Sequence, residues 1–144
     1  MTYIPTALRE LVKHRASGKC EYCLIHENFS IYSHEIDHAI AIKHGGKTTE
    51  ENLVLACLPC NRYKGSDLTS FDPLTDKITP LFNPRTQNWS DHFKLERGYI
   101  LGLTPTGRTT IFLLKFNEPG RFQLRQALAN QKLYPDLPST PQGN

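Results

Sequence analysis

The sequence predicts an α+β domain stapled by a metal ion, and three observations carry that expectation. Cysteine occurs four times, as two C-x-x-C pairs, Cys20 with Cys23 and Cys57 with Cys60. Around these pairs, stretches of helical periodicity alternate with short apolar runs that read as strands. The chain has 144 residues, enough for one core of ordinary size but not for two independent ones.

The elements follow in order. Thr6 caps a helix through "ALRELVKHRA", with Leu8, Leu11 and Val12 on one side and Gly18 as its stop. The first knuckle, "CEYC", comes directly after it. Residues 30–42 carry Ile31, Ile36, Ile40 and Ile42 and read as an extended segment leading into a Gly45-Gly46 turn. "TTEEN" caps a short helical turn, "LVLA" is a strand, and "CLPCNRYK" opens a helix near Pro59 that Gly65 ends.

From about residue 67 the composition shifts to Pro, Asp, Thr and Asn. That stretch is expected to be an ordered loop wrapping the domain, anchored by Leu74, Ile78, Leu81, Phe82, Trp89 and Phe93. Strands "HFKLE" and "YILGLT" follow around Arg97-Gly98, then a helix opening at Thr104-Pro105 and a last one over about Glu118 to Leu133. The expected organisation is a core over residues 1–66 and an extension over 67–144 packed on it in the same folding unit, with 135–144 frayed.

Paired cysteines in a chain without an export signal favour metal over disulfide. The N-terminus lacks a signal peptide's hydrophobic region, and no stretch reaches the ~18 apolar residues of a membrane span, so a cytoplasmic protein with no membrane partner is expected. A redox C-x-x-C needs one pair, whereas two pairs close a tetrahedral zinc site on Cys20, Cys23, Cys57 and Cys60. Four thiolates around zinc carry minus two, which gives Lys19, Arg62 and Lys64 a local reason to be basic. The net charge of +3 permits nucleic acid without demanding it.

Between the knuckles lies "SHEIDHAIAIKHGGKTTEEN", residues 33–52. A zinc clamp would pin both ends of this segment and set it against the helix that begins near Asn61. Asp37, His38 and Asn61 would then converge. Asp and Asn oxygens suit a hard divalent ion, Mg2+ or Mn2+, which frees His38. A neutral histidine beside a divalent ion is what phosphodiester hydrolysis requires.

The motifs "EIDH", "GG", "ENL" and "CLPCNRYK", in that order, resemble the HNH endonucleases with the ββα-metal, or His-Me finger, fold, including those with flanking zinc knuckles. The resemblance covers residues 18–65. It implies a ββα-metal core in which His38 is the general base, Asp37 and Asn61 are metal ligands, and Asn52 is the middle Asn that braces the loop, an H-N-N variant. It also implies a DNA substrate, duplex in the simplest case, with Lys64 at a basic position that meets a phosphate. Ala41 stands where many relatives have Pro. Beyond residue 70 the chain resembles a C-terminal extension of some bacterial HNH proteins. The function expected is a metal-dependent DNA endonuclease; the alternatives are a zinc-stabilised nucleic-acid-binding module that does not cut, or the same chemistry on RNA.

Other residues stay open at this level. Glu35 shares a strand face with Asp37 and is either its supporting partner or solvated charge. Arg62, Lys64 and Lys43 are candidates for phosphate contact. Arg85 and Trp89 are expected to be structural, the arginine tied to backbone carbonyls and the indole covering the core, and Tyr22 and Tyr63 to pack around the zinc.

Overall fold

The computed structural model describes residues 3–138. In chain order its elements are α1 (Thr6–Arg15), β1 (Glu35–His38), β2 (Leu53–Ala56), α2 (Leu58–Lys64), β3 (Thr69–Phe71), β4 (Ile78–Pro80), α3 (Trp89–His92), β5 (Phe93–Glu96), β6 (Tyr99–Gly102), α4 (Pro105–Leu113) and α5 (Pro119–Asn130). The strands pair as three antiparallel hairpins, β1 with β2, β3 with β4, and β5 with β6. Among the described residues, no helix is long and apolar enough to cross a membrane.

The core is built around β2, whose four residues are all buried. A strand without polar alternation has two faces to hide. Leu53 and Leu55 join Val12, Ala16 and Ile4 under α1, while Val54 and Ala56 belong to the larger cluster of the cysteines, Tyr22, Phe82, Phe93 and Phe116. The edge of β2 away from β1 is covered by Glu21 of the first knuckle, whose N–H donates to Leu55 O and whose carboxylate accepts from Leu55 N, both at 2.8 Å. A side chain thus completes a ladder that no strand extends.

Local chemistry explains most of the boundaries and corrects three expectations. Thr6 does not cap α1; it is the first helical residue, and Pro5 precedes it with an extended backbone whose carbonyl accepts from Leu8 N and Arg9 N. The extended segment over 30–42 contributes only Glu35–His38 as strand, because beyond Ala39 the side chain of Asn52 takes over the backbone bonds that a partner strand would make. The loop expected after residue 67 contains the hairpin β3–β4, and two of its expected anchors, Leu74 and Ile78, are 72% and 69% exposed. Leu81, Phe82 and Phe93 are buried.

The turn of that hairpin is organised by Asp72, which is fully buried. Its carboxylate accepts from Leu74 N at 3.0 Å, from the Thr75 hydroxyl at 3.2 Å, and from Arg108 of α4 at 2.8 and 3.1 Å. The Arg108 fork holds the Asp72 carboxyl down at about 2, below the ordinary aspartate value of about 3.9. The stability this adds is therefore complete above pH ~4 and is lost as the pH falls through about 2. In urea titrations, the midpoint advantage of the native chain over Asp72→Asn should hold above about pH 4 and shrink as the pH falls from there to about 2. A constant difference would contradict this account.

The extension is tied to the first knuckle at several points. Trp89 Nε1 donates to Tyr22 O at 2.7 Å, and the Tyr134 hydroxyl donates to Cys23 O at 2.7 Å. Arg85 pairs with the Glu21 carboxylate, correcting the backbone-carbonyl partner expected of it. A half-buried guanidinium beside a carboxylate that already caps β2 is better placed there than on neutral carbonyls. Aromatic rings fill the space between, with Phe93 lying 4.9 Å from Trp89, 5.2 Å from Phe82 and 5.7 Å from Phe116. Tyr134, just before the tail expected to fray, is buried, and within that tail Asp136 pairs with Lys19, while residues 139–144 lie outside the described residues.

Candidate active site and metal centre

Two short segments bring the cysteines together. Cys20 and Cys23 sit in the turn after α1, Cys57 caps the N-terminus of α2, and Cys60 occupies its first turn. All four are buried, and their sulfurs lie within 4.8 Å of one another, with Cys23 and Cys57 at 3.7 Å. A tetrahedral ion with metal–sulfur distances of about 2.3 Å needs sulfurs about 3.8 Å apart, so the donor set fits a soft or borderline divalent metal. Burial pushes the Cys20 and Cys60 thiols up, whereas hydrogen bonds from the other cysteines, with help from Arg121, pull Cys23 down. Tyr22 packs in this cluster, but Tyr63 does not. It is 36% exposed, and Lys115 lies over its ring at 4.8 Å.

The hairpin β1–β2 and the helix α2 form a ββα unit whose inner face collects the polar side chains. In β1, Glu35 and Asp37 share a face by the period of two, and that face looks at α2. Asn61 Nδ2 donates to Glu35 Oε2 at 2.7 Å. A carboxylate only accepts, so this bond orients the amide and leaves Asn61 Oδ1 to point elsewhere. Asp37 Oδ2 is buried and has no hydrogen-bond partner; the nearest cation, Lys64 Nζ, is 4.0 Å away. Burial raises the Asp37 carboxyl above its usual range, against the pull of Lys64, of the His38 backbone N–H and of the His38 ring. An orphaned, desolvated carboxylate oxygen fits a hard divalent cation, and the Asn61 amide oxygen, left free by the Glu35 bond, is a second oxygen donor on the helix that packs against β1.

Lys64 is 3% exposed, so it is not on the surface. Its ammonium faces Asp37 and the His38 carbonyl, the latter at 3.5 Å, and burial lowers its pKa. Arg62 and Lys43 are exposed.

His38 ends β1, and its Nε2 lies 2.9 Å from Thr48 Oγ1, across the loop that joins the strands. Asn52 ties that loop at both ends: Oδ1 accepts from Ile40 N, and Nδ2 donates to Ile40 O and Lys47 O, each at 2.9 Å. Gly45 turns with φ +91°, and a Cβ on Gly46 would stand 1.7 Å from Ile40 O. Only glycine lets the loop close this tightly.

Thr48 and Arg121 were invisible to sequence reasoning. Thr48 sits in a polar turn segment that offers many equivalent hydroxyls. Arg121, which donates to Cys60 Sγ, lies 61 residues from its partner in a helix with no distinguishing pattern.

Residues 20–67 match the model of the HNH endonuclease family. Among curated proteins, the Septu protein PtuB of Bacillus thuringiensis is 27% identical over 137 residues, covering 90% of this chain and 47% of the relative. The chain thus spans about half the length of the curated relative it matches. No solved structure matches it significantly.

Proposed function

We propose that the chain is a metal-dependent endonuclease that hydrolyses DNA phosphodiester bonds, with structural zinc on the four cysteines. The observation that carries this reading is the buried, unpartnered carboxylate oxygen of Asp37 on β1, the strand whose Glu35 also orients the Asn61 amide of α2. Asp37 and Asn61 would hold Mg2+ or Mn2+, which when bound offsets negative charge on the phosphate and on the leaving oxygen. His38 supplies the base. If Nε2–H donates to Thr48, Nδ1 carries the lone pair that takes the proton from water. The water oxygen bonds to phosphorus as the bond to the 3′ oxygen breaks, leaving a 5′-phosphate and a 3′-hydroxyl. Lys64, buried, would meet the phosphate only from within the site, whereas Arg62 and Lys43, both exposed, would contact flanking backbone.

The test is nicking of supercoiled plasmid with Mg2+ or Mn2+, arrested by EDTA and restored by excess metal, with RNA as competitor. Binding without cleavage under any divalent ion would favour a binding module, and preferential loss of RNA would shift the substrate class. Two variants probe the support of the site. Thr48→Val should slow cleavage on the order of tenfold, less than loss of the base itself, and Thr48→Ser should recover most of it. Glu35→Gln frees the Asn61 amide to flip, so the Mg2+ concentration for half-maximal rate should rise by about tenfold or more. An unchanged Mg2+ requirement would make Glu35 a bystander.

A further inference from the structure

We infer that Arg121, supplied by α5 of the extension, is the outer partner of the four-cysteine metal site and governs how firmly the metal is held. Its Nη2 donates to Cys60 Sγ at 2.9 Å and lies 3.8 Å from Cys57 Sγ. Its Nη1 donates to the carbonyls of Leu114 and Lys115 at 2.6 and 3.0 Å, which fixes the fork at the C-terminal end of α4. Among the described residues no carboxylate pairs with Arg121, so the cysteine sulfurs are its anionic partners. Four thiolates around a dication leave a buried charge of minus two, and a guanidinium bonded to sulfur disperses it where water cannot.

The second observation is access. A cavity of about 80 Å³, lined by Cys23, Cys57, Pro59, Arg121 and Leu124 among others, opens onto this side of the sulfurs. Arg121 stands on the route by which a chelator, water or an oxidant would reach them. Retention of the metal then depends on a residue far outside the segment 20–67 that carries the ligands and the family match. This holds whether or not the chain cuts nucleic acid.

The test uses the full-length, zinc-loaded protein and follows zinc release to an excess of chromogenic chelator, with no activity readout. Arg121→Met keeps the apolar stem but no N–H, and should release zinc about tenfold faster or more. Arg121→Lys keeps the charge but loses the fork, and should fall between. Asn117→Ala loosens the extension by cutting its bonds to Ile100 and Arg125 without touching sulfur, and should stay within about twofold of the native rate. A folded Arg121→Met protein that releases zinc at the native rate overturns the inference. So does equal acceleration by Asn117→Ala, which would trace the effect to packing of the extension. Should the Met variant fail to fold, native-rate release from Arg121→Lys overturns it as well.

Discussion

His38→Ala is expected to slow plasmid cleavage by about 10²- to 10⁴-fold, equivalent to roughly 3 to 5 kcal/mol of lost barrier lowering, with zinc content and fold retained. The fold should tolerate the change because His38 enters β1 through its backbone, paired with Leu53, and its half-buried ring makes one side-chain hydrogen bond, to Thr48. Metal binding should tolerate it too, since Asp37 lies toward Lys64 of α2 and the Asn61 amide is oriented by Glu35, neither through a hydrogen bond to the imidazole. Asp37→Asn is the complementary variant. It keeps the base but replaces the desolvated carboxylate with a neutral amide, so added Mg2+ should no longer stimulate. Undiminished cleavage by His38→Ala sinks the assignment of the base, and undiminished stimulation of Asp37→Asn sinks the assignment of the metal ligand. The two outcomes are independent.

What could be read from the sequence was what local signals encode. The two C-x-x-C spacings announced the sulfur cluster; Thr104-Pro105 announced α4, where the Thr104 hydroxyl accepts from Gly107 N; and "LVLA" announced a strand, which the fold buries at all four residues. What could not be read depends on partners distant in the chain. The strands β3 and β4 have three residues each, too short for periodicity, and their turn is held by Arg108, 36 residues from Asp72. Glu35 became interpretable only when α2 placed Asn61 against it, 26 residues on. Arg85 found a carboxylate instead of carbonyls because Glu21 had already been turned inward to cover the edge of β2. In each case a side chain is met by a side chain from a distant part of the chain, and nothing in its own neighbourhood in the sequence marks that partner.

Removing the structural metal is the change expected to cost most. Cys57→Ser should yield protein without zinc and without a cooperative unfolding transition, because structural zinc contributes about 10 kcal/mol or more while a domain this size is stable by only about 5 to 15. The position matters as well as the ligand. Cys57 joins β2 to α2, its carbonyl accepts from Asn61 N at 2.9 Å, and its sulfur lies against Cys23. Without the metal, four buried thiols remain beside the Arg121 guanidinium with too little negative charge to hold it, and the contacts of Tyr134 and Trp89 to the first knuckle lose their platform. α2 would then be free to leave β1, separating Asn61 from Glu35. If the proposed function holds, the two metals should separate in time. Brief EDTA should stop cleavage reversibly, with Mg2+ alone restoring it, while prolonged treatment with a strong zinc chelator should unfold the chain, and Mg2+ should not rescue it. Circular dichroism and zinc stoichiometry follow both steps. A zinc-free Cys57→Ser protein with a native-like unfolding transition would show that packing around β2 suffices and that the cysteines are not the staple.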